Sequence, residues 1–260
     1  MSIKFDQNTA KILDQLYQSK DAQKRRQAVL DALQVQTGEQ VLDIGTGLGH
    51  LALEMADLAG PEGKILGMDL NEPMLELARS RCDAKPWIEF KAGDATQLPF
   101  KDERFDAAVS VQVYEYISDT YQVLKELNRI LKPGGRAVIV ASDWKSTIWH
   151  STDQVRMDKV LSVWEEHCAY SDLPRTLGKQ LREAGFNIQA QNIIQQFNPT
   201  LNTDAYSYHA INFIKSFISD RGGISKEEAD LWAKDLIQLG ERNEYFFCLN
   251  QFLFSVSKED

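Results

Sequence analysis

The residues of this chain best suited to chemistry begin at residues 39–50, EQVLDIGTGLGH. There a short apolar run carrying Asp43 enters three glycines, Gly45, Gly47 and Gly49, with Thr46 between the first two. Glycine lets a chain turn sharply after a strand and brings backbone N–H groups close to a bound nucleotide-like group, and the helix that follows adds its positive end. Asp69 lies 20 residues beyond Gly49. An acid at that remove, at the end of the next strand, can accept both hydroxyls of a ribose. Asp94 ends the strand after that and can accept from an adenine amino group; its plain alternative is an Asx turn that bonds only its own backbone. The glycines are spaced GxGxG, not the GxGxxG of the dinucleotide fingerprint. Taken alone, the turn fits either a nucleotide-like ligand or a tight crossing of two backbones.

A second set of groups could move protons. His150, next to Trp149, carries the imidazole best suited to general-base work, since an unperturbed histidine titrates near neutral pH. Glu115 is a second candidate, and Tyr17 can reach the glycine turn from the amino-terminal segment. Each has a bland counterpart: a packed histidine, a carboxylate at a helix start, a core tyrosine.

These groups need a scaffold, and the apolar pattern supplies one. Strands are expected at residues 40–44, 64–68, 87–91, 105–111 and 136–141. Helices are expected between them at 48–59, 73–82 and 119–131. Asn71 caps the second of these helices, and residues 131–135, LKPGG, stop the third. Such alternation predicts a mostly parallel α/β sheet with helices on both faces. Residues 1–35 are helical in period, with Ile12, Leu13, Leu16 and Tyr17 on one face and Gly38 ending the second helix. This segment is expected either over the glycine turn as a lid or along the sheet edge. Residues 142–172 break the rhythm with Trp144, Trp149 and Trp164. A helix at 174–184 and a strand at 187–196 follow. Next come inserted helices at 206–219 and 225–239, the latter opened by a Ser225/Glu228 capping box, and a last strand at 245–256. The expectation is a single domain over 1–260, with 142–172 and 199–240 as insertions on the substrate side.

Composition narrows the classes. The chain has 260 residues and a formal net charge of -9, a balance opposed to a nucleic-acid scaffold. Cys82, Cys168 and Cys248 are dispersed with no CxxC pair, which indicates neither a disulfide framework nor a structural metal site. There is no transmembrane run and no signal-peptide core. A cytoplasmic protein, monomeric or homodimeric, is expected.

The series VLDIGTGLGH (41–50), GMDLN (67–71), GDATQLPF (93–100), FDAAVSVQV (105–113) and LKPGG (131–135) resembles the motifs of class I S-adenosylmethionine-dependent methyltransferases. Within that class it is most similar to the small-molecule branch that includes type 11 and ubiquinone/menaquinone methyltransferases. The resemblance is strong over 38–141 and looser over 175–256. It implies a Rossmann-like, seven-stranded, mostly parallel sheet with an antiparallel last strand and a helical insertion before it. It implies S-adenosyl-L-methionine as cofactor and transfer of its methyl group to a small-molecule acceptor by in-line displacement. Carried over by residue, Asp43 and the turn Gly45, Thr46, Gly47 and Gly49 surround the methionine part, while Asp69 binds the ribose. Met68 or Leu70 packs on the adenine, Asp94 and Ala95 read its edge, and Met74 and Gly93 are further cofactor contacts. Ser110 and Gln112 face the carboxylate end, and Arg25 or Arg26, with Arg26 preferred, neutralises it. A base, His150 or Glu115, is needed only where the acceptor must lose a proton. The aromatic load of the insertions suits an apolar or aromatic acceptor or a cation, or simply fastens helices to the sheet. Residues 110–116, SVQVYEY, lack the Pro-Pro-aromatic run of base-methylating enzymes, and no metal is expected. The alternatives are an arsenite methyltransferase using the three cysteines, an NAD-dependent oxidoreductase, and a non-catalytic cofactor-binding protein.

Overall fold

The computed structural model describes the backbone over residues 7–259 and side chains from Leu13 onward. Two helices lead, α1 (Gln7–Gln18) and α2 (Lys20–Leu33). The alternating half follows as β1 (Gln40–Ile44), α3 (His50–Ala59), β2 (Lys64–Asp69), α4 (Glu72–Arg81), β3 (Ile88–Ala92), β4 (Phe105–Val111), α5 (Thr120–Ile130) and β5 (Leu131–Ser142). The carboxyl-terminal half comprises β6 (Ile148–Trp149), α6 (Gln154–Glu165), α7 (Pro174–Glu183), β7 (Phe186–Asn198), α8 (Tyr206–Ile218), α9 (Lys226–Glu241) and β8 (Phe247–Lys258).

Parallel pairing runs β3-β2-β1-β4-β5, and β8 then joins β5 antiparallel. The other edge of β8 carries β7, while the two-residue β6 pairs with its start at Cys248 and Phe247, making the sheet eight-stranded rather than seven. The central strands are buried on both faces, so they read as continuous apolar runs. Leu42, Ile44 and Leu66 pack against Val123, Leu127 and Leu177 of α5 and α7. Val41, Ile65 and Val109 pack against Val29, Leu33, Met55 and Ala56 of α2 and α3. Each such fully buried aliphatic chain contributes roughly 1.5–3 kcal/mol over exposure. Strand order reverses between β1 and β4, the place beyond the strand carboxyl ends where open α/β sheets take their ligands.

Several expectations shift. The second helix stops at Leu33, where Gln34 turns left-handed (φ 52) and its N–H closes on the Leu30 carbonyl; Gly38 lies in the turn beyond. LKPGG does not separate helix from strand. Leu131 already pairs with Phe105, residues 132–135 bulge out, and Arg136 resumes the ladder opposite Ala107. Residues 142–172, where the alternation breaks, contain α6, capped by Asp153 and burying Met157, Val160 and Trp164 at helical spacing. Asn71 and the Ser225/Glu228 box cap their helices as expected. The inserted helices form a second core: Trp149 and Trp232 meet edge-to-face at 5.5 Å, with Phe247, Tyr245 and the buried faces of α6, α8 and α9 around them. Among the described residues no helix is long and apolar enough to cross a membrane.

Candidate functional site

The glycine turn sits where β1 ends, against the opening of β2 and β4. Gly45 (φ +73) and Gly49 (φ +76) are both left-handed, and a Cβ on Gly45 would stand 2.1 Å from Val113 Cγ2. The turn is held from beside it: Gly45 and Thr46 donate their N–H groups to the Met68 carbonyl, and Thr46 donates its hydroxyl to Asp43 at 2.7 Å. Asp69 accepts from the Gly47 N–H at 3.0 Å and the Asn71 N–H at 2.9 Å. The acid at the end of β2 is therefore docked on the turn. Burial holds the Asp69 carboxyl above the ordinary carboxylate range despite these backbone donors. Burial likewise pushes Asp43 up to about 7, against the Thr46 bond and with nearby Asp69 adding to the rise. Two acids kept from ionising freely beside a tight backbone cradle are groups that a hydroxyl-bearing or cationic ligand would relieve.

Around this cradle Leu70 is 72% exposed and Met74 is buried against Leu13 and Leu48. Gly93 is half-buried and Ala95 buried, while Asp94 is exposed and accepts from the Thr96 N–H at 2.8 Å, forming the Asx turn. Ser110 is fully buried beside the Tyr114 hydroxyl at the end of β4.

The amino-terminal helix lies over the cradle. The Tyr17 ring comes to 3.9 Å from where a Gly47 Cβ would be. Asp14 bridges His50 at 2.9 Å and Arg81 at 2.6 Å, tying α1 to the first residue of α3 and the last of α4. His50 thus positions α1.

Arg26 does not reach the crevice. It pairs with Glu54 at 2.7 Å and donates to the Tyr17 carbonyl at 2.6 Å, because one helical position turns it outward. Arg25, on the buried face of α2, occupies the position expected of Arg26. Its guanidinium donates to Gln112 Oε1 and, at 3.4 Å, to Gln251 Oε1. Gln112 and Gln251 each donate to Ser142 Oγ at 2.9 Å, and Gln196 donates to Gln251. Arg25 is 4% exposed, its Nε has no partner, and among the described residues no carboxylate pairs with it. A buried cation held only by amides awaits an anion. Gln112 takes a left-handed backbone (φ 55), strain of the kind that collects at functional sites.

His150 does not join the site. Along β6 the side chains alternate: Trp149 turns into the second core, while Ile148 and His150 turn to solvent. Glu115 is the group delivered instead. It is 0% exposed, accepts from the Ser142 N–H at 3.3 Å, and leaves Oε2 without a partner. Burial raises its carboxyl to about 7, against the opposing pull of its own backbone N–H, the Ser142 N–H and, least, Arg25. Tyr17, Tyr116 and Tyr206 have their hydroxyls in the same neighbourhood, and all three are pushed up chiefly by burial. The three cysteines do not converge. Cys82 faces the Gly49 carbonyl, Cys168 lies 3.2 Å from His167 Nε2, and Cys248 pairs with Ile148 on the sheet edge. Among the described residues no group of three or more His, Cys, Asp or Glu could hold a metal ion. Surface clefts of about 440 Å³ beside β3 and about 580 Å³ between α2 and α3 include neither the cradle nor Glu115.

The raised Glu115 pKa has a thermodynamic consequence. The folded state holds this proton up to about pH 7, the unfolded chain only to about 4.5. The unliganded protein therefore loses stability as pH rises through that window, by about 3 kcal/mol from this group alone, and Asp43 acts with the same sign. Melting curves from pH 4 to 8 should show Glu115→Gln with a visibly flatter decline than the parent; identical slopes would remove the assignment.

Sequence reasoning missed Gln251 and Gln196, which complete the network around Arg25. One signal was available: Gln251 occupies an inward position between Leu249 and Leu253, where the period of β8 calls for an apolar residue.

A parallel sheet with a reversal between β1 and β4, an antiparallel β8 and an acid docked on a glycine cradle defines a class I methyltransferase fold. Residues 42–139 match the model of a family described as Methyltransferase domain. Over 177 residues the chain is 33% identical to an uncharacterized 37.1 kDa protein in a Streptomyces fradiae transposon, covering 68% of this chain and 51% of that protein. It is 40% identical over 106 residues to the demethylmenaquinone methyltransferase of Lactococcus lactis, covering 40% of this chain and 42% of that one. The chain thus spans about half the length of the curated relatives it matches. In fold it is similar to phosphoethanolamine N-methyltransferase 2 of Haemonchus contortus, solved with S-adenosylhomocysteine (TM-score 0.65, 18% identity, 98% of this chain and 59% of that one).

Proposed function

We propose that this protein transfers a methyl group from S-adenosyl-L-methionine to a small-molecule acceptor. The observation that carries the reading is Asp69 seated on the Gly47 N–H at 3.0 Å, which joins a ribose-accepting carboxylate to the glycine cradle. When bound there, the cofactor supplies a methyl already activated on a sulfonium. The chain's own work is then to hold the two reactants in contact and keep water away.

Asp69 accepts the ribose hydroxyls, Asp43 and the Gly45–Gly49 turn border the methionine portion, and Leu70 and Met74 flank the base with Gly93, Asp94 and Ala95. Arg25, in place of Arg26, neutralises the carboxylate end with Gln112. Helix α1 serves as the lid, Tyr17 closing on the cradle. The acceptor enters between α1, α8 and the segments after β4 and β5, where Glu115 is the one buried carboxyl with a free oxygen among the described residues. The net charge of -9 supports an acceptor other than nucleic acid, and a cytoplasmic protein acting as one domain, monomeric or homodimeric, accompanies the reading.

Isothermal titration with S-adenosylmethionine and S-adenosylhomocysteine tests it, followed by a radiolabel screen over quinones, phenols and amines. Binding of both ligands at micromolar concentration is expected. Absence of binding by either would overturn the reading and leave a tight structural turn in its place.

A further inference from the structure

We propose, resting on the reading above, that the acceptor is an amine taken up as its ammonium form, with Glu115 as both its counter-ion and the base that removes its proton.

The Glu115 carboxyl is buried, accepts from the Ser142 N–H at 3.3 Å, has no side-chain donor and keeps Oε2 unpartnered. A carboxyl so placed lacks the groups that would satisfy it, and what it lacks is a donor carrying positive charge. Arg25 acts on this carboxyl only through space: its Nη1 donates to Gln112 and Gln251, and no hydrogen bond or ion pair joins it to Glu115. The walls supply the rest. Tyr116 follows Glu115 in the chain, and its hydroxyl lies in one neighbourhood with Cys168, Glu115, Tyr17 and Tyr206 while part of its ring is exposed. Its neighbour His167 lies 5.6 Å away and is edge-on to Trp144 at 4.9 Å. Burial drives the imidazole of His167 down to about 4, so it adds no competing charge near neutrality. Rings around a lone carboxylate form a cation receptor: each ring face attracts an ammonium by up to about 2 kcal/mol when water is excluded. A neutral alcohol or phenol would gain neither that attraction nor the counter-charge.

The proton then has a defined path. One N–H bond of the ammonium breaks and its proton passes to Glu115 Oε2. The nitrogen's freed electron pair forms the new N–C bond as the C–S bond breaks, its electrons remaining on sulfur. The N-methylated product leaves as a cation and Glu115 returns its proton to solvent.

The test uses the whole protein saturated with S-adenosylhomocysteine and titrated with phenethylammonium, with 2-phenylethanol and p-cresol as uncharged partners of similar size. Phenethylammonium should bind about tenfold tighter than either neutral compound. In Glu115→Gln that preference should fall to about one, while affinity for S-adenosylhomocysteine stays unchanged, which also reports that the variant is folded. Equal binding of the three probes, no binding of the ammonium, or a preference that survives in Glu115→Gln would each overturn the proposal. The function proposed above fails on a different result, loss of S-adenosylhomocysteine binding by the parent protein, because the ammonium titration can also be run without it.

Discussion

Asp69→Ala should weaken binding of S-adenosylhomocysteine by about 100-fold with little change in fold. Two hydrogen bonds from ribose hydroxyls to a partly buried carboxylate are each worth roughly 1.5–3 kcal/mol, because the acceptor is charged and water is scarce. In the unliganded protein the same oxygens are occupied by the N–H groups of Gly47 and Asn71, at 3.0 and 2.9 Å. Alanine therefore also frees the cradle to relax away from its binding shape. Asp69→Asn separates the two effects, keeping the size while removing the charge. Asp94→Ala is the internal comparison: exposed and turned onto the Thr96 N–H, it should cost less than tenfold. Titration calorimetry reads all three. Equal losses at Asp69 and Asp94 would mean that the acid of β2 is not the ribose partner.

Gly45→Ala should destabilise the protein by about 3 kcal/mol and abolish cofactor binding. Two penalties combine at this position. A left-handed backbone costs a non-glycine residue about 1 kcal/mol or more, and forcing a methyl into a packed site costs about 1–3 kcal/mol. The new Cβ would lie 2.1 Å from Val113 Cγ2. Val113 cannot simply withdraw, since it follows Gln112, whose own strained backbone holds the Arg25 network. Gly134→Ala isolates the first penalty, because Gly134 is also left-handed (φ +67) yet has nothing within 4 Å of an added Cβ. Thermal melts should fall by about 5–10 °C for Gly45→Ala and by about 2–4 °C for Gly134→Ala. Similar shifts would show that the Val113 contact is relieved at no cost.

The motif half of the molecule was legible because its determinants are local. A glycine after an apolar strand, an acid at the end of the next and an asparagine ahead of a helix each act within a few residues of themselves. Gly45, Asp69 and Asn71 accordingly stand in their expected places. Reading was weaker where one helical step or one strand alternation decides the outcome. Arg25 and Arg26 differ by a single rotation on α2, and only packing of Val29 and Leu33 on the sheet fixes which guanidinium is buried. His150 follows inward-facing Trp149, so pairing of β6 with β8 sends it outward.

The sequence by itself determined the positions of the first five strands, the glycine cradle and the acid at the end of β2, since strand periodicity and turn chemistry specify them locally. Tertiary structure alone decided which groups gather around Arg25 and Glu115. Tyr17, Arg25, Glu115, His167, Tyr206 and Gln251 come from segments up to 234 residues apart in the chain. Their meeting depends on how two helical insertions and an amino-terminal helix pack over the strand ends, and no local propensity encodes that arrangement. For the same reason an isolated glutamate in SVQVYEY gave no sign of its burial, though its burial and its unpartnered oxygen are what the proposed acceptor chemistry rests on.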